Sequence, residues 1–396
     1  MQTKSEQTYL ELLNLRNRIV SLYFQNYYDF ELKEPISIDE KEDITLDFVN
    51  CTICLAKEKI SRGQIGNNYV MLQPCLRNNH INLLSNYNEQ SNYLSYFTML
   101  GGFCYINKNS NWKDTFNKIV ERQFNFFTSI MDRSEIRLTI PIQYAKYLPL
   151  SDHVNELLLN NNGKTYYSNT DEKNLKWKYG IDGIIGYGTR WEIKNIDGIF
   201  INCGNDIVLF NRDNEAVGID FGSGLETLVS LSNGCINLLY SNIVCSDYIK
   251  KISTGNALNE KLIDSILSLI CCEYYKKEKN VRIKYLMSNY IRIISAIAII
   301  NNISDKVIMN IIKDICINMN IDDINNMSLI IVDINKQKNF LYEISSSDNV
   351  IKRVKYCENK NNNYEKKLFN IEIYALKKII EEEKNSDKTQ KIKKRR

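Results

Sequence analysis

The sequence predicts an α+β fold: an antiparallel sheet flanked by helices, followed by an all-helical region. Three observations carry this prediction. Apolar runs of strand length, bounded by turn residues, dominate the first half of the chain. After about residue 236 the pattern changes to the helical period, with Leu262, Ile263, Ile266, Leu267 and Ile270 on one face. Third, Gly222-Ser223-Gly224 is not followed by the G-x-x-G spacing of a dinucleotide fingerprint, and no Lys-Ser/Thr closes a phosphate loop. Strands first and helices second argue against a doubly wound parallel sheet. Three regions follow: a sheet domain over 1–250, a helical domain over 251–345, and a C-terminal helical segment with a charged basic tail over 346–396.

Residues 8–30 read as an amphipathic helix through Leu10, Leu13, Ile19, Val20 and Tyr23. Residues 43–60 and 69–76 read as strand or buried segments. A polar stretch, Arg77-Asn78-Asn79-His80, follows, and the chain returns through Tyr93 to Phe103 in strand-like composition. That is two strands joined by a long loop, with an arginine at its root. Residues 111–131 form a helix by the spacing of Trp112, Phe116, Ile119, Val120, Phe124 and Phe127. Residues 136–142 read as a strand and 152–160 as another helix. Glycines cluster at 180–188, a strand occupies 190–202, and 206–211 leads into EAVGIDFGSGLETLVSLSNG. There Val217, Ile219 and Phe221 give a strand, the glycines a turn, and Leu225, Leu228 and Val229 a helix that Asn233-Gly234 stops.

With 396 residues the chain has length for two or three domains and a sizeable core. Hydrophobic residues make up 44% and charged residues 25%, the balance of a globular protein, and a net charge of +4 is too small to imply a nucleic-acid partner. The apolar run at 293–300 falls short of the ~20 residues that span a bilayer, and the amino terminus lacks a signal-peptide pattern; no membrane partner is expected. Eleven cysteines at irregular spacing suit a reducing, cytoplasmic location. Cys51-Thr52-Ile53-Cys54 is a C-x-x-C, but there is no second pair and only His80 and His153 in the chain. Packing as small apolar side chains is expected there, and no metal ligands are assigned. The charged end, EEEKNSDKTQKIKKRR, reads as a solvated tail, with RNA contact as the alternative.

Six fragments, in order, resemble the aminoacylation and helical domains of alanyl-tRNA synthetase, a class II aminoacyl-tRNA synthetase. Gln73-Pro74-Cys75-Leu76-Arg77 is similar to Q-x-C-x-R on the first strand of motif 2. Phe97-Thr98-Met99-Leu100-Gly101-Gly102-Phe103 is similar to F-E-M-L-G-N-F on its return strand. Trp177-Lys178-Tyr179-Gly180, continuing to Trp191-Glu192-Ile193, is similar to W-x-M-G-D-x-G-P-C-G-P-C-x-E-I with two more residues. Val208-Leu209-Phe210-Asn211-Arg212 is similar to V-F-M-Q-F-N-R, and Ile219-Asp220-Phe221-Gly222-Ser223-Gly224-Leu225-Glu226 to motif 3, V-D-T-G-M-G-L-E-R. YLMSNYIR at 285–292 is similar to R-V-I-A-D-H-I-R. Together the fragments cover roughly residues 10–305.

The resemblance implies a class II synthetase-like sheet and a ligase that activates a small amino acid, alanine by default, as an aminoacyl-adenylate with ATP and Mg²⁺. It implies that Arg77 lies against the α-phosphate and the substrate carboxylate, and that Asp220 accepts the α-ammonium. Gly222 and Gly224 would leave room for nucleotide and side chain, Glu226 would lie at the ATP site, and Trp177 would wall the amino-acid pocket. Taken alone, Arg77 also reads as a surface-loop arginine and Asp220 as an acid favoured by a helix N-terminus.

The sequence departs from the family at several places. The arginine that ends motif 3 is Thr227, the acid before M-L-G is Thr98, and the A-G-G-K of motif 2 is shortened to Asn78-Asn79. Losing one charge-stabilising donor commonly costs ~3–4 kcal/mol in a transition state; Arg190 and Arg292 are the candidates to replace it. The arginine-rich segment that helps bind the tRNA acceptor stem is replaced by DKVIMNIIKDICIN. The acceptor implied is therefore tRNA or, instead, a small molecule, peptide or carrier protein. The alternative function is a catalytically impaired synthetase-like protein that binds or regulates.

Overall fold

The computed structural model describes the chain except residues 1–8, 39–47, 78–80, 89–93, 132–133, 170–174, 235–237, 246–251, 253–255, 276–280, 323–326, 328, 347–369 and 394–396. The chain divides into two compact units, one of residues 1–75 and 97–242, the other of 76–96 and 243–396. The α+β class predicted from the sequence is the one observed: a large, mostly antiparallel sheet flanked by helices, and a helical region.

The first unit is built on ten strands: β1 (Glu31–Lys33), β2 (Tyr69–Leu76), β3 (Tyr96–Tyr105), β4 (Ile136–Pro141), β5 (Gly163–Ser168), β6 (Lys176–Trp177), β7 (Ile185–Gly188), β8 (Arg190–Lys194), β9 (Phe200–Phe210) and β10 (Ala216–Gly224). Their order is β1-β2-β3-β10-β9-β8-β4-β5, with β7 also on β9 and β6 on β7. β1–β2 and β4–β5 are parallel. β10 is antiparallel to β3 and β9, and β9 is antiparallel to β8 and β7.

Alternation along the strands gives the sheet two unlike faces. Ile219 and Phe221 of β10, Val208 of β9, and Trp191 and Ile193 of β8 point into the larger core. That core is closed by helix α1 (Tyr9–Asn26) through Leu12, Ile19 and Tyr23, and by α4 (Trp112–Ile130) through Phe116, Phe124 and Phe127. α4 starts at Asn111, whose side chain accepts from the Lys113 amide. Its Phe124 and Phe127 rings lie against Trp191 at 6.3 and 5.4 Å between centroids. Burying each such aromatic contributes about 1.5–3 kcal/mol. The opposite face carries a smaller cluster: Ile53, Ala56, Tyr69, Phe103, Ile181, Ile184, Ile207 and Leu209.

One element differs from the sequence expectation, and one open reading is decided. Of strand or buried segment over 43–60, the described residues follow the second, with Phe48, Val49, Ile53 and Ala56 buried and no strand among them. Thr52–Leu55 form a 3-10 turn and Lys57–Ser61 the short helix α2, while 43–47 lie outside the described residues. The single strand expected over 190–202 is two, β8 and β9, joined by a turn at Asn195. The Asn195 side chain accepts from the amides of Asp197 and Ile199, and Gly198 takes φ +79°. Ile196 and Ile199 are exposed at the tip. Helices α3 (Ile81–Leu84), α5 (Asp152–Asn160) and α6 (Leu225–Asn233) complete the elements up to residue 242. α6 ends on Gly234 at φ +63°, the left-handed cap the sequence signalled.

The second unit is made mainly of α7 (Ala257–Tyr274), α8 (Val281–Ile300), α9 (Asp305–Asn318), α10 (Ile330–Ser345) and α11 (Asn370–Lys393). Helix α8 is long and apolar enough to cross a membrane by length and composition, yet most of it is buried among these helices. Arg292 on α8 binds Glu372 on α11 through Nε at 2.9 Å and Nη2 at 2.5 Å, with the Glu372 side chain fully buried. The helix continues through most of the charged C-terminal stretch, to Lys393. Asp264 accepts from the Ser95 amide at 3.0 Å and hydroxyl at 2.9 Å. Burial pushes its carboxyl up to about 6, against the lowering effect of those bonds.

Candidate active site

β10 is the spine of the site. Asp220 pairs with Phe103 on one side and Ile207 on the other, so its carboxylate stands on the smaller cluster's face. It is 6% exposed. The Tyr179 hydroxyl donates to its Oδ2 at 2.6 Å. Tyr69 also faces this acid: its hydroxyl donates to the Thr52 carbonyl at 2.9 Å, and burial, then the Asp220 charge, push its pKa well above the ordinary tyrosine value.

Trp177 on β6 pairs with Gly186 of β7. Its ring lies over Gly188, where an added Cβ would come 2.9 Å from Ile207 and strike the indole. A Cβ at Gly186 would come 3.2 Å from the Tyr179 ring. Two glycines that contribute no side chain thus make room for the Trp177 and Tyr179 rings next to Ile207, and Tyr179 reaches Asp220. The 180–188 glycine cluster meets this requirement, and Tyr179 is a site residue that the sequence carries in the same fragment as Trp177 but that no motif marks.

Gly222 pairs with Gly101, so two bare residues sit side by side in β10 and β3. The space above them is not empty. A Cβ at Gly222 would come 3.1 Å from Met99 Sδ, and one at Gly101 would come 2.6 Å from Thr52 Oγ1. Gly224 differs: an added Cβ would meet only the Thr227 side chain, at 3.2 Å, and its φ of −76° is ordinary. Among the described residues, only the Thr227 side chain comes near that position.

Further along the same face, β4 and β8 carry Arg137, Thr139, Arg190 and Glu192, opposite the buried Leu138 and Trp191. The Arg137 Nε donates to Glu192 Oε2 at 2.9 Å, Arg190 Nε lies 3.3 Å from Glu192 Oε1, and the Thr139 hydroxyl also donates to Glu192. None of this cluster except Arg190 was anticipated, because cross-strand register is not written in any one segment.

The structure therefore brings Trp177, Asp220, Gly222 and Gly224 to one face. It places Glu226 elsewhere: its carboxylate points to the helix side, where Arg16 Nη1 lies 3.0 Å from Oε1 and the Thr98 amide donates to Oε2 at 2.8 Å. Arg16 Nη2 also donates to the Thr98 hydroxyl at 2.8 Å. Arg77 belongs to the second unit, at the end of β2, with its amide donating to the Ser95 carbonyl at 2.8 Å; Asn78, Asn79 and His80 lie outside the described residues. Cys51 packs against the smaller cluster, with its Sγ 4.0 Å from that of Cys54. Among the described residues no three His, Cys, Asp or Glu gather to hold a metal ion.

No family model matches the chain, and no curated protein does. Solved structures do, and aminoacyl-tRNA synthetases are among them. An aspartyl-tRNA synthetase from Entamoeba histolytica matches at 12% identity and TM-score 0.33, over 60% of this chain and 58% of its own. A Staphylococcus aureus histidyl-tRNA synthetase, in its apo form, matches at 10% and 0.38, over 59% and 71%. The asparaginyl-tRNA synthetase of Entamoeba histolytica in complex with asparaginyl-adenylate matches at 13% and 0.30, over 59% and 66%. The chain thus spans a little over half the length of the first of these.

Proposed function

We propose that the chain binds a small amino acid and ATP on the Asp220 face and joins them as an aminoacyl-adenylate, in the manner of a class II aminoacyl-tRNA synthetase. The observation that carries this reading is the buried Asp220, bonded by the Tyr179 hydroxyl and followed by the glycines at 222 and 224, with Trp177 on the same face over Gly188. A buried carboxylate is an acceptor for an ammonium group, which would gain a charge-assisted hydrogen bond and the face of an indole. The indole, Tyr179 and Ile207 crowd this part of the face, which favours a small side chain; alanine is the default.

In the reaction an oxygen of the amino-acid carboxylate bonds to the α-phosphorus. The bond from that phosphorus to the bridging oxygen breaks, and its electron pair leaves with pyrophosphate. Arg77 would bind the α-phosphate and carboxylate. Mg²⁺ would be held mostly by phosphate oxygens, as is usual for this ion. The acceptor of the acyl group is tRNA, or a small molecule, peptide or carrier protein.

A second reading, a binding or regulatory protein without catalysis, is favoured by one observation: Met99 and Thr52 fill the space above Gly222 and Gly101. ATP–pyrophosphate exchange across the common amino acids, with Mg²⁺ present, decides between them. Exchange that depends on one amino acid and is lost in Arg77→Ala and Asp220→Ala supports the enzyme. Nucleotide binding without exchange supports the second reading.

A further inference from the structure

The adenylation step builds negative charge on the departing pyrophosphate, and residue 227, at the start of α6, is an uncharged threonine. The sheet itself offers a cation. Trp191 pairs with Gly204, which sets the preceding residue, Arg190, level with Asn205; Asn205 pairs with Gly222. Arg190 thus stands in the row of Gly222, one row from Asp220. Two strand spacings, roughly 10 Å, separate its backbone from the glycine. Its side chain is 27% exposed, and it shares the buried Glu192 with Arg137. Arg137 is engaged further, with its guanidinium 4.0 Å over the Phe200 ring and 5.0 Å from Tyr166. Two guanidiniums thus gather at one carboxylate, on the face of the sheet that carries Asp220. Arg292, the other cation the sequence offered, is bound in the second unit to the fully buried Glu372.

We propose that Arg190 binds the pyrophosphate end of the nucleotide, supplying from β8 the charge that residue 227 does not carry. The inference rests on the proposed function for the identity of the nucleotide, and on the register and charge of β4, β8 and β9 for the anion. A planar guanidinium suits the task because it presents paired N–H donors to phosphate oxygens.

Calorimetric titration with Mg²⁺-ATP, Mg²⁺-pyrophosphate and AMP tests it. In Arg190→Gln, affinity for ATP and pyrophosphate is expected to fall roughly tenfold or more, with AMP affinity little changed. Arg190→Lys is expected to lose less. Arg62→Gln, which removes an exposed charge from the edge of α2, is expected to lose nothing. If the glutamine variant melts early, Arg190→Met keeps the apolar stem and takes its place. Unchanged pyrophosphate affinity in the Arg190 variants, with exchange intact, overturns the inference and leaves the proposed function standing. Arg190-dependent pyrophosphate binding in a protein that neither binds ATP nor exchanges upholds the anion site and removes the proposed function. A wild-type protein that binds neither ATP nor pyrophosphate overturns both.

Discussion

Asp206 and Asp220 lie on neighbouring strands, and register sets them one position apart: Asp206 pairs with Phe221, Asp220 with Ile207. That offset sends them to opposite faces of the sheet. Asp206 enters the aromatic core under α1 and α4. It is fully buried there, and the Trp191 indole N–H donates to it at 2.6 Å. Burial pushes its carboxyl up to about 7; the indole bond works against this, and the nearby Asp220 charge adds to it. Asp220 instead stands on the smaller cluster's face and accepts from the Tyr179 hydroxyl. The same residue type serves two ends: on the helix face an acid is structural and costly, and on the other face it is the acid to which the proposed function assigns the substrate ammonium. Glu226, tied to Arg16, belongs with the first kind.

The comparison breaks if a helix-face substitution changes binding while leaving stability untouched. Glu226→Ala leaves the Arg16 guanidinium buried without its acid, and is expected to destabilise the protein by about 3–5 kcal/mol in denaturant unfolding. Asp220→Asn is expected to do the reverse. The amide oxygen still accepts from Tyr179, so the melting temperature stays near wild type. Loss of the charged bond to an ammonium, about 1.5–3 kcal/mol, lowers exchange by on the order of tenfold to a hundredfold.

Asp206 sharpens the contrast through pH. The folded chain holds this proton up to about pH 7, whereas the ordinary carboxyl value is 3.8. Between those values the folded state binds more protons than the unfolded one, so this group's contribution to stability falls as pH rises, by at most about 1.4 kcal/mol per unit. Asp206→Asn is expected to flatten that slope in unfolding measured from pH 4 to 8, with Asp264 contributing a smaller slope that persists. The smallest effect is expected at Gly224→Ala. Among the described residues only Thr227 stands near the new methyl, so stability changes by less than about 1 kcal/mol. A weakened ATP affinity in that variant shows that the space belongs to the ligand.

Local patterns in the sequence reached much of this. The helix over 111–131, the strand over 69–76 and the strand-turn-helix at 215–234 announce themselves because period and caps are local. The hairpin at Asn195 was hidden because Ile196 and Ile199 mimic a strand while standing in solvent. The site was legible only as its separate parts. Trp177, Asp220 and the glycines could be read from short fragments. The Arg16–Glu226 pair spans 210 positions, and the grouping of Arg137, Arg190 and Glu192 depends on which strands lie side by side. Glu226 was misplaced for a related reason: one helical turn after the glycines is close in sequence to Asp220, yet its side chain leaves on the far side of the sheet.

The thioether above Gly222 has a consequence for any measured affinity. Methionine is unbranched and turns about three bonds, so Met99 can swing out of the space it fills. A ligand laid on these glycines competes first with the protein's own side chain. Its apparent dissociation constant is the intrinsic one divided by the fraction of molecules in which that side chain has withdrawn. In the proposed site the glycine pair is thus a seat with a built-in occupant, and removing that occupant by Met99→Ala is expected to tighten ligand binding.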